Sequence, residues 1–357
     1  MDFRTRKRLN LIKNYIFGWT LSFIYLCIVR GVGTIEVGSF DPGLLYSVLI
    51  SLILGPICGV ISGGAQIITL ERVYRKTSIQ KLLILRVIYG VIFIWTLILL
   101  AYFICITYLD LKTDLMEFAF DEGSLPVYLY IITVDIFFTM LTLIDLMLGP
   151  RNLGKLLQGK FYYPHEEERI FMFLDLQSST QLAEKLGHIK YSMLIQDCFN
   201  DLSVVIENEA AVYQYVGDEV ILTWKLKDGL RKHNCIQAYF NYNNQLLKRK
   251  AYYEEKYNCL PFFKAGVNSG IVTVTEVGSI KKEIAYHGDT LNTAARIQGK
   301  CNHFQQGILI SETLKMQLFP NSFLIEEMGN IPLRGKMEEV TIYAVSEKIA
   351  VSQTSVQ

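Results

Sequence analysis

The chain has 357 residues, 51% of them hydrophobic, and a net charge of +1, so no bulk positive field points to a nucleic-acid partner. The average conceals a division: the long apolar runs precede residue 150 and most of the charge follows it. That split excludes a single soluble globule and separates a membrane part, 1–150, from a polar part.

Four apolar stretches, near 12–30, 43–70, 82–108 and 125–149, are each long enough to cross about 30 Å of hydrocarbon as a helix. No small-residue cleavage site follows the first, which argues against a signal peptide. Arg4, Arg6, Lys7, Arg8 and Lys13 accompany the N-terminus, and Arg72, Arg75, Lys76 and Lys81 fill the second loop. The third loop is acidic, with Asp110, Asp114, Glu117, Asp121 and Glu122. Basic segments stay in the cytoplasm, so the N-terminus and everything from Arg151 onward are expected there.

Within the second span, Gly55, Gly59 and Gly63 recur every fourth residue and line one helical face, either for packing inside the bundle or for a dimer seam. Pro56 is expected to kink this helix. Asp135, deep in the fourth span, needs a hydrogen-bond partner such as Ser, Thr or Tyr, or a role in sensing a signal. The seven cysteines show no CxxC spacing and the five histidines no ligand spacing, so neither a disulfide nor a zinc site is indicated.

After a basic linker, 151–168, the run "IFMFLDL" reads as a buried strand ending in Asp175 and followed by "QSST". A long helical pattern through "QLAEKLGHIKYSMLIQDCFNDLSVVIENE" comes next, then "AVYQYVGDEVILTW", two strands joined by a tight Gly-Asp turn. A further helix covers "LRKHNCIQAYFNYNNQLLKRKAYYEEKY", and "FFKAGVNSGIVTVTEVG" reads as a strand pair. "GDTLNTAARIQ" forms a helix with Asn292 and Arg296 four residues apart on one face, and strands follow near "ILIS" and "VTIYAV". The pattern predicts an α+β sheet with helices on one face over 169–348, ending in a frayed tail, 349–357.

Asp175 closes one strand and Asp218 sits at a hairpin tip. Aspartates at adjacent strand ends can share divalent cations, although a strand-end aspartate by itself more often serves a turn. The segments "FLDLQSST", "YVGDEVILTW", "AGVNSGIVTV" and "GDTLNTAARIQ" resemble, in order and spacing, the catalytic domain of class III nucleotidyl cyclases over about 165–345. The spans carry no family signature, but the entry "EEERIFMFLDL" is similar to that of bacterial membrane-bound members.

The resemblance implies a ferredoxin-like α+β catalytic domain, and the four apolar stretches put it behind a four-span α-helical membrane domain, expected in a cell inner (plasma) membrane. It implies that Asp175 and Asp218 hold two Mg²⁺ or Mn²⁺ ions per active site, and that the turn Leu176, Gln177, Ser178, Ser179 and Thr180, with Gly217, cradles phosphates. Asn292 would orient the ribose, Arg296 would neutralise the α-phosphate, and Lys336 would reach the terminal phosphates, with Arg334 as its alternative. Two copies would build each site, the metal aspartates coming from one and the Asn/Arg pair from the other.

Adenylate cyclases commonly place Lys, and Asp or Thr, at the two base-selecting positions; guanylate cyclases use Glu and Cys. This chain has Gln214 and Ala285 there, matching neither pair and leaving Tyr286 or Glu283 as neighbouring readers. The expected substrate is ATP, with GTP, a pyrimidine triphosphate or a catalytically silent membrane sensor as alternatives. Glu219 is expected to be a solvated strand residue.

Overall fold

The computed structural model describes residues 3–31, 43–73, 79–109, 112–121, 123–149, 152–319, 323–332 and 339–348. It divides into two compact units, 1–147 and 148–357.

The first unit is helical: α1 (Phe3–Gly31), α2 (Leu44–Ile68) with a π turn at Thr69–Val73, α3 (Ile79–Leu109), the short α4 (Leu115–Ala119) and α5 (Ser124–Leu148). Among the described residues four helices are long and apolar enough to cross a membrane, over Arg4–Arg30, Leu44–Glu71, Val87–Tyr108 and Ser124–Leu148. Apolar side chains such as Phe17, Leu45, Ile92 and Phe103 face outward, as lipid-facing residues do.

The glycine stripe of α2 lies against α1 of the same chain. A Cβ on Gly59 would stand 2.4 Å from the Ile16 Cα, and one on Gly55 would stand 2.6 Å from the Thr20 Cα. Packing inside the bundle, rather than a dimer seam, uses this stripe. Asp135 is buried, and the Ser62 hydroxyl donates to its Oδ1 at 2.6 Å, tying α2 to α5. The interior hydrogen bond expected for this carboxylate is therefore present.

In the second unit, α6 (Asn152–Leu157) precedes β1 (His165–Leu176), α7 (Ser179–Asp201), a 3₁₀ segment Leu202–Asn208, and the hairpin β2 (Ala211–Val216) and β3 (Glu219–Lys225). Then follow α8 (Leu226–Leu230), α9 (Asn234–Lys248), α10 (Lys250–Tyr257), β4 (Phe263–Val277), β5 (Glu283–His287), α11 (Asp289–Lys300), β6 (Ile308–Ser311), α12 (Glu312–Gln317), β7 (Phe323–Pro332) and β8 (Glu339–Glu347). The sheet order is β2-β3-β1-β4-β6-β8-β7, with β5 paired to the far end of β4.

Side chains of β1 alternate between two cores. Ile170, Met172, Leu174 and Leu176 join the large core shared with α7, α9 and α10. Phe171 and Phe173 join a smaller one with Ala294 of α11 on the opposite face. Helices therefore cover both faces of the sheet, where the sequence pattern predicted one.

The long helical pattern after β1 is broken twice. Gly187 takes φ 72 within α7, and the chain tightens into 3₁₀ geometry after Asp201. The segment expected to be a strand pair is the single 15-residue strand β4. Its "GVNSG" core resembles a turn because Gly, Asn and Ser are turn formers, but its job here is to let α11 approach. A Cβ on Gly266 would stand 2.1 Å from the Gln298 amide nitrogen, and one on Gly270 would stand 2.6 Å from Thr290 Oγ1. Asn268 Nδ2 donates to the Thr290 carbonyl across the same contact at 3.1 Å.

Because overpacking a tight contact costs about 1–3 kcal/mol, Gly266→Val is expected to lower the unfolding midpoint of the second unit. Thermal denaturation of the detergent-solubilised chain followed by circular dichroism will check this. A midpoint equal to the parent's would show that α11 does not depend on this contact.

Candidate functional site

Alternation along β1 sends Asp175 to the same face as Phe171 and Phe173, the face covered by α11. Its cross-strand partners are Glu219 on β3 and Lys264 on β4. The two-residue hairpin loop brings Asp218 alongside, and Gly217 supplies the left-handed φ of 62 that the turn needs.

Three carboxyls therefore converge. Burial, and then the charge of Asp218, raise the Asp175 pKa above the usual carboxylate range. Glu219 is pushed up to about 7 by burial and then by Asp175 and Asp218. Glu219 is only half exposed, so it belongs to this acidic group rather than to a solvated strand face. Tyr191 of α7 lies near Asp218, and its pKa rises to about 12 through burial and the charge of Asp218.

This uncompensated negative charge suits a divalent cation, and two carboxylates that leave room for substrate phosphates and water are a common Mg²⁺ arrangement. Among the described residues no cluster of three or more His, Cys, Asp or Glu side chains is disposed to enclose a metal. The donors fit a cation completed by substrate rather than a closed structural site.

Beyond Asp175 the chain turns through Ser178, which holds a left-handed φ of 58, and enters α7. Gln177 differs from expectation: its amide donates to the Phe262 carbonyl at 2.9 Å and is not available to a phosphate. Leu176 is buried in the β1–β4 pairing. The amides of Ser178, Ser179 and Thr180 belong to the N-cap and first turn of α7, where a helix leaves its N–H groups open to an anion. A shallow hollow of about 200 Å³ adjoins this turn, lined by Gln177, Ser178, Leu182, Leu260, Pro261 and Phe262.

On α11, Thr290, Thr293, Ala294 and Ile297 are buried toward the sheet. Asn292 is exposed and Arg296 half-buried, on the other side of the helix. The i, i+4 pair thus faces outward, away from the same chain's Asp175, while Gln298 turns inward and donates through Nε2 to Asp175 Oδ2 at 3.2 Å. Sequence inspection missed Gln298. The signal available was its offset of two residues from Arg296, which on a helix reverses the face.

The base-selecting positions are set by two devices. A register shift between Val212 and Gln214 leaves Tyr213 as an extra residue on β2, and Gln214 pairs with Ile221, so the bulge aims Gln214 onto the Asp175 face. Ala285 lies on β5 opposite Thr275. Beside it, Tyr286 meets the Tyr213 ring edge-on at 4.9 Å and lies under the Arg169 guanidinium at 4.6 Å. Tyr213 and Tyr286 thereby tie the strands bearing Gln214 and Ala285 together. Lys336 and Arg334 lie outside the described residues.

The sequence model of the adenylate and guanylate cyclase catalytic domain matches residues 161–347. An adenylate cyclase 2 from Rhizobium meliloti (strain 1021) is 29% identical over 202 residues, covering 56% of this chain and 56% of that protein. A receptor-type guanylate cyclase from Caenorhabditis briggsae is 26% identical over 204 residues, covering 53% of this chain and 16% of that one. The chain thus spans about half the length of the first relative and less of the second. A bacterial light-regulated adenylyl cyclase structure shares the fold at a TM-score of 0.54 and 18% identity, covering 65% of this chain and 68% of that one.

A carboxyl with a raised folded-state pKa holds its proton more tightly when folded. It therefore opposes folding above that pKa, and the penalty is relieved as pH falls through about 7 toward its ordinary 4.5. In cation-free buffer, Glu219→Gln is expected to raise the melting temperature at pH 8 and to leave it near the parent value at pH 5. Scanning calorimetry across that range checks it; parallel curves would mean that Glu219 does not share the charge of the two aspartates.

Proposed function

This chain belongs to the family of adenylate and guanylate cyclases, and from that premise we propose that it is a membrane-bound adenylate cyclase acting as a homodimer. The reaction joins the ribose 3′-oxygen of ATP to its α-phosphorus. The hydroxyl proton is lost, the bond from the α-phosphorus to the β-phosphate bridge breaks, and 3′,5′-cyclic AMP and pyrophosphate leave.

One observation carries the reading. Asn292 and Arg296 face outward on α11 while the acidic group of the same chain lies beneath it. No described residue hydrogen-bonds or ion-pairs with either side chain. A half-buried guanidinium without a carboxylate partner is poised for an anion from outside the chain, and the acidic group is in turn poised for a cation. A second copy, related by two-fold symmetry, supplies both complements twice.

In this arrangement Asp175 and Asp218 of one copy hold two Mg²⁺ or Mn²⁺ ions. When bound, these ions would acidify the 3′-hydroxyl and neutralise the triphosphate. The Ser178–Thr180 amides donate to phosphate oxygens at the positive end of α7. From the other copy, Asn292 orients the ribose through its amide. Arg296 meets the negative charge that grows on the α-phosphate, a contact stronger in the transition state than in bound ATP. Lys336 takes the terminal phosphates.

Gln214 can donate to adenine N1 through its amide, and Ala285 leaves the exocyclic group to backbone or to Tyr286. The missing guanylate-type Glu favours ATP over GTP. The chain sits in the inner membrane with its N-terminus and catalytic unit in the cytoplasm.

Detergent-purified protein given ATP, GTP, CTP or UTP with Mg²⁺ or Mn²⁺ is expected to release cyclic AMP, identified by mass. Removing one charge-stabilising donor typically costs about 10²–10³ in rate, so Arg296→Ala and Asp175→Ala are each expected to lose at least that much. Co-expressed Asp175→Ala and Arg296→Ala chains are expected to recover activity, because a mixed dimer retains one intact site. If all four nucleotides survive intact, the enzymatic reading fails; if only the mixture stays dead, the shared site fails.

A further inference from the structure

Gln298 has a role that catalytic chemistry alone does not require. It sits two residues beyond Arg296 on α11, about 200° around the helix. Its Nε2 reaches Asp175 Oδ2 at 3.2 Å, whereas Arg296 and Asn292 face the opposite way. The hydrogen bond crosses between elements far apart in sequence and closes over a carboxyl that is half-buried and beside another acid.

Gln298 is held rigidly. The backbone of α11 at Gln298 and Ala294 lies directly on Gly266 of β4, where a Cβ would stand 2.1 Å from the Gln298 nitrogen. The flanking Ile297 and Cys301 are fully buried. The side-chain amide thus approaches Asp175 from a fixed base, and its hydrogen bond to Oδ2 restrains the carboxylate's rotation.

We propose that Gln298 is a positioning residue for the acidic half-site: it orients the Asp175 carboxylate toward a divalent cation. Resting on the shared-site reading above, this makes α11 serve two sites. Its outward face completes the neighbour's site, and its inward face aligns the chain's own aspartate. Partners that orient ligating carboxylates typically account for 10–100-fold in metal affinity.

The cation alone is the probe. Mn²⁺ binding to the nucleotide-free, full-length protein, followed by electron paramagnetic resonance of the free ion, is expected to weaken at least tenfold in Gln298→Met. This variant keeps the unbranched shape and loses the donor. Gln298→Leu provides a second isostere, and the melting temperature reports whether each variant folds. Affinity within twofold of the parent in a folded variant overturns the proposal.

A second arm separates positioning from simple helix packing. In mixtures of Asp175→Ala and Arg296→Ala chains, Gln298→Met is expected to raise the Mn²⁺ requirement when carried by the chain with intact Asp175. On the Asp175→Ala chain, where the amide has no carboxylate to hold, it is expected to have no effect. Equal loss in both placements overturns the proposal in favour of packing. A parental mixture without activity refutes the shared site instead, and the Mn²⁺ titration then decides Gln298 independently.

Discussion

The catalytic unit is organised around the close approach of α11 to β4. Helix backbone can lie on strand backbone only where a side chain is missing, as at Gly266, and Gly270 makes room for the Thr290 side chain of the same helix. Once the helix is seated there, its rotation is settled. Thr290, Ala294 and Ile297 must face the sheet, so Asn292 and Arg296 must face away. The placement of the acidic group and of the Asn292–Arg296 pair on opposite sides of one helix follows from that packing, before any chemistry is considered.

Electrostatics then leaves the two sides of α11 with opposite, complementary charges. Asp175, Asp218 and Glu219 crowd together until burial and mutual repulsion raise two of their pKa values. Folding tolerates such a cluster when function requires it, and its energetic cost is offset when a cation binds. On the outer face of α11 a guanidinium lacks a described partner. Neither charge finds its complement among the described residues, which is the physical ground for the nucleotide binding and the pairing of copies proposed above.

The membrane unit follows different physics. Without a hydrophobic force between lipid-bathed helices, α1 and α2 meet through small residues, and the Ser62–Asp135 hydrogen bond holds α2 to α5. The aromatic side chains Tyr15, Trp19, Phe23 and Phe93 fill the space within.

Much of this was legible in the residues. The four spans, the β2–β3 hairpin with Gly217 at its tip, the strand ending in Asp175 and the helix bearing Asn292 and Arg296 all rest on local signals: apolar length, turn chemistry and helical spacing. What failed was the strand pair expected where β4 runs unbroken through Gly, Asn and Ser, residues that commonly form turns. These residues have two uses, bending a chain or admitting a neighbour, and only the neighbour distinguishes them. The bulge that aims Gln214, the Phe262 carbonyl that occupies the Gln177 amide, the acidity shared with Glu219 and the reach of Gln298 to Asp175 likewise depend on residues distant in the chain. Sequence determined which elements form and which chemical groups they carry, because those properties depend on neighbours within a few residues. Tertiary structure decided which groups meet and which way they face, because packing between remote segments sets every rotation and register.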